Sequence, residues 1–94
     1  MRLRRRHHFH TDHLGHSVSA TVQTGHTVVV EVLVDGKETG HATTRRDVPV
    51  TVTVELPTDP PTRASVRAAA GPGAPACRFE APDTGPRAME PRPY

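Results

Sequence analysis

The sequence predicts a small all-β domain, an antiparallel β-sandwich of about six to seven short strands with a flexible C-terminal tail. Three observations carry this prediction. Valine and threonine dominate the regular stretches, and both favour strands. Apolar and polar residues alternate with period two in one stretch after another. Turn residues separate these stretches at intervals of roughly ten residues. No stretch shows a helical period, and there is no internal repeat.

"HSVSATVQ" (16–23) alternates Val18, Ala20 and Val22 with serine, threonine and glutamine, the pattern of a half-buried strand. "TVVVEVLV" (27–34) places Val28, Val30, Val32 and Val34 on one face and Thr27, Val29, Glu31 and Leu33 on the other. Its second face is half apolar, so a central strand with something against its back is expected. A three-residue loop with Gly25 left-handed keeps the two valine faces in phase, pairing Ala20 with Val28 and Val18 with Val30. Asp35-Gly36 suits a type I′ turn, because both central residues need positive φ. A tight hairpin there sets Thr39 opposite Val32 and His41 opposite Val30, on a polar edge strand near 37–44.

"VPVTVTVEL" (48–56) aligns Val48, Val50, Val52, Val54 and Leu56 on one face. Pro49 cannot donate to a ladder, so the strand either starts near Val50 or lies on an edge. "RASVRAA" (63–69) offers Ala64, Val66 and Ala68 as a thin inner face, and "ACRFE" (76–80) offers Cys77 and Phe79. Two stacked sheets of such strands resemble an immunoglobulin-like or fibronectin-type sandwich. That resemblance rests on strand count, since the Cys…Trp…Cys spacing is absent, and it implies no function. The chain divides into a basic, His-rich arm or first strand (1–16), a sandwich domain (17–81) and a Pro-rich disordered tail (82–94).

Ninety-four residues suffice for one domain with a modest core. The net charge of +2 hides an asymmetry. Residues 1–16 set Arg2, Arg4, Arg5 and Arg6 against Asp12, whereas the remainder carries eight basic and nine acidic side chains. The basicity therefore belongs to the arm, and a short basic arm speaks for nucleic acid far less than a basic face would. The single Cys77 cannot form an internal disulfide, and no apolar run follows the arginines. A reduced, cytoplasmic protein with no membrane span is expected. Abundant Ala, Arg, Pro, Val and Gly with one Lys suggest a GC-rich bacterial genome.

The densest chemistry is "HHFHTDHLGH" (7–16), with five of the seven histidines. His8 and His10 share a face in an extended segment, and a turn at Gly15 would let His13 and His16 join them. Imidazoles of this kind accept zinc, nickel or copper, but the spacing is not a tight metal motif and no cysteines accompany it. The plainer reading is a polar first strand whose apolar residues Leu3, Phe9 and Leu14 cover the back face at Val29 and Leu33. Arg2, Arg4, Arg5 and Arg6 would suit phosphates or another anion, yet no stacking platform or nucleic-acid motif appears.

Enzyme signatures are missing: there is no GxSxG, HExxH or phosphate-cradling glycine loop. Asp12, His16 and Ser17 are triad residue types, but adjacent strand residues point to opposite faces. The expectation is a non-enzymatic interaction module. Its partner is protein, including a second copy as a homodimer, and its contact surface lies around Val29 and Leu33. Metal binding through His8, His10, His13 and His16 is the alternative, and nucleic-acid contact through the arm comes third. No cofactor is required, and no membrane is involved.

Overall fold

The computed structural model describes residues 5–69 and 73–93. Within them the chain forms β1 (Arg5–His13), β2 (His16–Thr24), β3 (Thr27–Val34), β4 (Lys37–Arg45), β5 (Val50–Leu56), β6 (Thr62–Ala69), β7 (Ala76–Glu80), β8 (Arg87–Ala88) and β9 (Glu90–Arg92). No helix is present among the described residues, and hence none that is long and apolar enough to cross a membrane. Five strands in the order β4-β3-β2-β1-β9 make sheet A, and four in the order β5-β6-β7-β8 make sheet B. All ladders are antiparallel. The likeness to immunoglobulin sandwiches extends to two antiparallel sheets. The connectivity here is two meanders, with β9 returning to the edge of β1.

The core is the set of inward faces that the alternation marks. Val18, Ala20 and Val22 of β2 and Val28, Val30, Val32 and Val34 of β3 meet Val52, Val54, Leu56, Ala64, Val66, Ala68, Cys77 and Phe79 of sheet B. Each buried valine or larger side chain contributes about 1.5–3 kcal/mol relative to exposure. β5 begins at Val50 and is the edge of its sheet, so Pro49 is accommodated in both expected ways. Val48 precedes that strand and is exposed rather than inward-facing.

Three expectations are corrected. The first is a register. β2 pairs with β3 as Val18↔Val34, Ala20↔Val32 and Val22↔Val30, and Gly25 is not left-handed. Alternation fixes only which faces match, and shifting the partner by an even number of residues leaves the faces in phase. The second is a β-bulge between Val32 and Leu33, where Thr39 is the extra residue on β4. Past it, Gly40 and Ala42 oppose Val32 and Val30, while His41 moves to the outer face opposite Glu31. Thr39 Oγ1 donates to the Val32 carbonyl at 3.3 Å. Gly40 is required here, because a Cβ would lie 2.7 Å from Val52 Cγ1 on the neighbouring sheet.

The third correction concerns the tail. Residues 82–93 are ordered against the sandwich. β8 extends sheet B and β9 extends sheet A, and Met89 between them is buried. The prolines suit this edge. Pro91 faces Phe9 in the ladder and has no N–H, so the hydrogen-bonded pairs are His8↔Arg92 and His10↔Glu90. The N–H-deficient position of Pro91 therefore points out of the sheet, where it blunts the free edge against further strand pairing.

Candidate functional site: the outer face of sheet A and its histidines

The N-terminal segment resolves as a strand for Arg5–His13, and residues 1–4, with Arg2, Arg4 and the expected covering residue Leu3, lie outside the described residues. β1 closes onto β2 by a two-residue turn, with Leu14 at φ 52° and Gly15 at φ 79°, and His13 opposite His16. Positive φ at both central positions is the type I′ geometry, matched in the second hairpin by Asp35 (φ 52°) and Gly36 (φ 84°). β1 joins the edge of β2 and so does not lie across β3. Phe9 enters the core, Leu14 is exposed at the turn, and neither covers Val29 or Leu33. Val29 and Leu33 remain half-buried on the outer face of β3.

The histidines are divided between the two faces of β1. His8 and His10 lie outward with Asp12, and His13 is buried on the other side. His8 Nδ1 is 3.3 Å from Oγ1 of Thr21, its cross-strand neighbour. His10 bridges Ser19 and Asp12, with Nδ1 3.4 Å from the Ser19 hydroxyl and Nε2 3.2 Å from Asp12 Oδ1. His16 Nδ1 donates to Asp35 Oδ2 at 2.7 Å, and the Ser17 N–H donates to Oδ1 at 3.0 Å. These two hydrogen bonds, backbone first, hold the Asp35 carboxyl below its ordinary value. The four proposed ligands thus serve separate sets of partners and do not converge. Among the described residues no group of three or more His, Cys, Asp or Glu side chains is placed to hold a metal ion.

Sequence reasoning missed two arrangements. The first is Ser19–His10–Asp12, the residue types that Asp12, His16 and Ser17 had offered by adjacency. Cross-strand register, not chain spacing, assembles it. It lies on an open sheet face, with β2 paired on both edges. The second is the buried end of β1. His13 Nε2 donates to Asp83 Oδ1 at 3.0 Å, and Nδ1 accepts from Arg87 Nη2 at 3.4 Å. Because a guanidinium can only donate, the His13 tautomer is fixed with its hydrogen on Nε2. The ring packs tilted against Phe79, with centroids 5.1 Å apart at 53°, and Arg87 Cζ lies 5.5 Å from the Phe79 centroid. Arg87 Nη2 also donates to the Asp12 carbonyl, beyond the end of the β9 ladder. This cluster fastens the C-terminal segment to β1. Its members are separated by about seventy positions, which no local pattern links.

Across the outer face of sheet A, rows of side chains follow the ladders. One row runs Arg92, His8, Thr21, Glu31, His41, and the next runs Glu90, His10, Ser19, Leu33, Glu38. Opposite charges are interspersed, and the apolar side chains Val29 and Leu33 sit between polar neighbours. Compared with known proteins, the chain matches no family model, no curated protein and no solved structure.

Proposed function

We propose that this chain is a non-enzymatic β-sandwich module of the cytoplasm that works through protein–protein contact, with a second copy of itself as the partner. The contact surface is the outer face of sheet A. The observation that supports this most is the pair Val29 and Leu33, left uncovered by β1 on an otherwise ordered face. They flank Glu31 on the outer face of β3 as two half-buried apolar side chains in a polar surround, and protein interfaces set their apolar contacts within a polar rim.

Size and charge fit the same reading. Strands about 4.8 Å apart, rising about 3.3 Å per residue, give the four long strands of sheet A a face on the order of 600 Å². A standard interface buries about 800 Å² per partner. Glu31, Glu38 and Glu90 alternate with Arg6, Arg45 and Arg92, so the face has no dominant sign to select a strongly acidic or basic partner. A two-fold contact between two such faces can oppose unlike charges.

Sedimentation velocity across a concentration series tests the reading. The native chain is expected to show a concentration-dependent monomer–dimer equilibrium. Val29→Asp with Leu33→Asp should leave only monomer, while Val48→Asp, exposed off this face, should change nothing. A native chain that stays monomeric, or a double variant that associates equally well, would overturn it.

A further inference from the structure

We infer that the groove at the β1–β9 margin is a binding site for a small organic anion, a carboxylate or phosphate monoester carried on an apolar body. The groove has a volume of about 420 Å³, within the 300–1,000 Å³ range of small-molecule sites. It opens where the β1–β9 ladder ends, at His8↔Arg92, and Pro75 of the segment before β7 contributes its wall from the other sheet. Arg6, Arg92, His7 and His8 line it, and no acidic side chain does so among the described residues. Phe9 and Pro91 add apolar surface.

Two arginines on neighbouring strands are well suited to anionic oxygens, because the guanidinium fork donates in a plane and is always charged. Arg6 sits opposite neutral Gln23 and forms no ion pair among the described residues. Arg92 Nε lies 3.7 Å from Glu90 Oε1, a long ion pair between two exposed side chains. His8 is held by Thr21 through Nδ1, so its ring has a fixed place at the mouth. Proline and phenylalanine surfaces favour an apolar body without demanding hydrogen bonds from it. The combination selects charge at one end and apolar contact at the other.

The inference does not depend on self-association, and the test separates the two. Backbone amide NMR of the full chain, at dilution, would be followed during titration with phenyl phosphate, inorganic phosphate and benzyl alcohol. Phenyl phosphate should shift the signals of Arg6–Phe9 and Arg92. Inorganic phosphate should bind more weakly, and benzyl alcohol should shift nothing at these positions. Arg6→Gln with Arg92→Gln should weaken phenyl phosphate about tenfold or more, the loss of charge-assisted hydrogen bonds. Arg63→Gln with Arg67→Gln, on sheet B, should not weaken it. The monomeric Val29→Asp, Leu33→Asp chain should bind as the native chain does. Equal affinity in the native and Arg6/Arg92 variant chains, or shifts that track Arg63 and Arg67, would overturn the site.

Discussion

Sheet A turns Val29 and Leu33 outward among half-buried serine, threonine and glutamine side chains, whereas sheet B turns outward Thr51, Thr53 and Glu55, then Arg63 and Arg67, then Arg78 and Glu80. No outward residue of sheet B larger than alanine is apolar. Arg67 even stands directly opposite Arg78, a like-charge pair that costs stability unless water screens it. The inward faces, by contrast, are built alike, mostly from valine and alanine at alternate positions, with Phe9 in sheet A and Leu56 and Phe79 in sheet B. The difference shows that the alternation specifying a fold also leaves one face free. Sheet B spends that freedom on solvation, and sheet A keeps apolar groups there.

The largest effect should come from breaking the layer the sheets share. Phe79 is fully buried in sheet B yet packs against the His13 ring of sheet A. Phe79→Ala should destabilise the fold by about 3–5 kcal/mol in urea unfolding, and by far more than Leu33→Ala on the outer face. Equal losses would dissolve the distinction between inner and outer faces. Next comes the close approach of β4 to β5. Gly40→Ala should cost about 1–3 kcal/mol, because the new methyl must displace Val52. An unchanged urea midpoint would place the two strands further apart.

Smaller effects sharpen the contrast on the surface. Arg67→Thr should stabilise sheet B by about 0.2–1 kcal/mol at low salt, with the gain shrinking as salt rises. Loss of stability there would mean that Arg67 and Arg78 do not repel. In sheet A, folding lowers the Asp35 pKa from its ordinary 3.8. The native state then binds fewer protons than the unfolded chain. Asp35 therefore stabilises above that value and loses its contribution as pH falls below 3.8 through the folded pKa. Asp35→Asn, which keeps the turn because asparagine tolerates positive φ, should unfold with a flatter dependence on pH in that window.

Much of the fold was legible because period two leaves a mark wherever valine alternates with threonine or serine, as in β2, β3 and β5. The Asp35-Gly36 turn was legible because both residues favour positive φ, whereas at Gly15 a turn was legible but its tight Leu14-Gly15 form was not, since leucine rarely adopts positive φ. Register and the Thr39 bulge escaped for a common reason: parity is written in the sequence, but position along a ladder is not. The C-terminal segment escaped because its prolines outweighed one apolar anchor, Met89, and because Asp83 and Arg87 act on His13 from across the chain. For the site, the outward placement of Val29 and Leu33 was readable, while which histidine-bearing face of β1 turns inward, burying His13, depended on how β1 pairs.

Disulfide trapping tests the central claim most directly, because the native thiol is silent. Cys77 is buried, and desolvation pushes its pKa up to about 12, so it is not a thiolate near neutral pH. Leu33→Cys on sheet A and Thr53→Cys on sheet B each place one reactive thiol on an outer face. Under mild oxidation at equal concentration, the Leu33→Cys chain should accumulate a covalent dimer rapidly, and the Thr53→Cys chain only at the slow rate of random collision. Equal rates, or faster trapping through Thr53→Cys, would contradict the assignment of the outer face of sheet A as the contact surface.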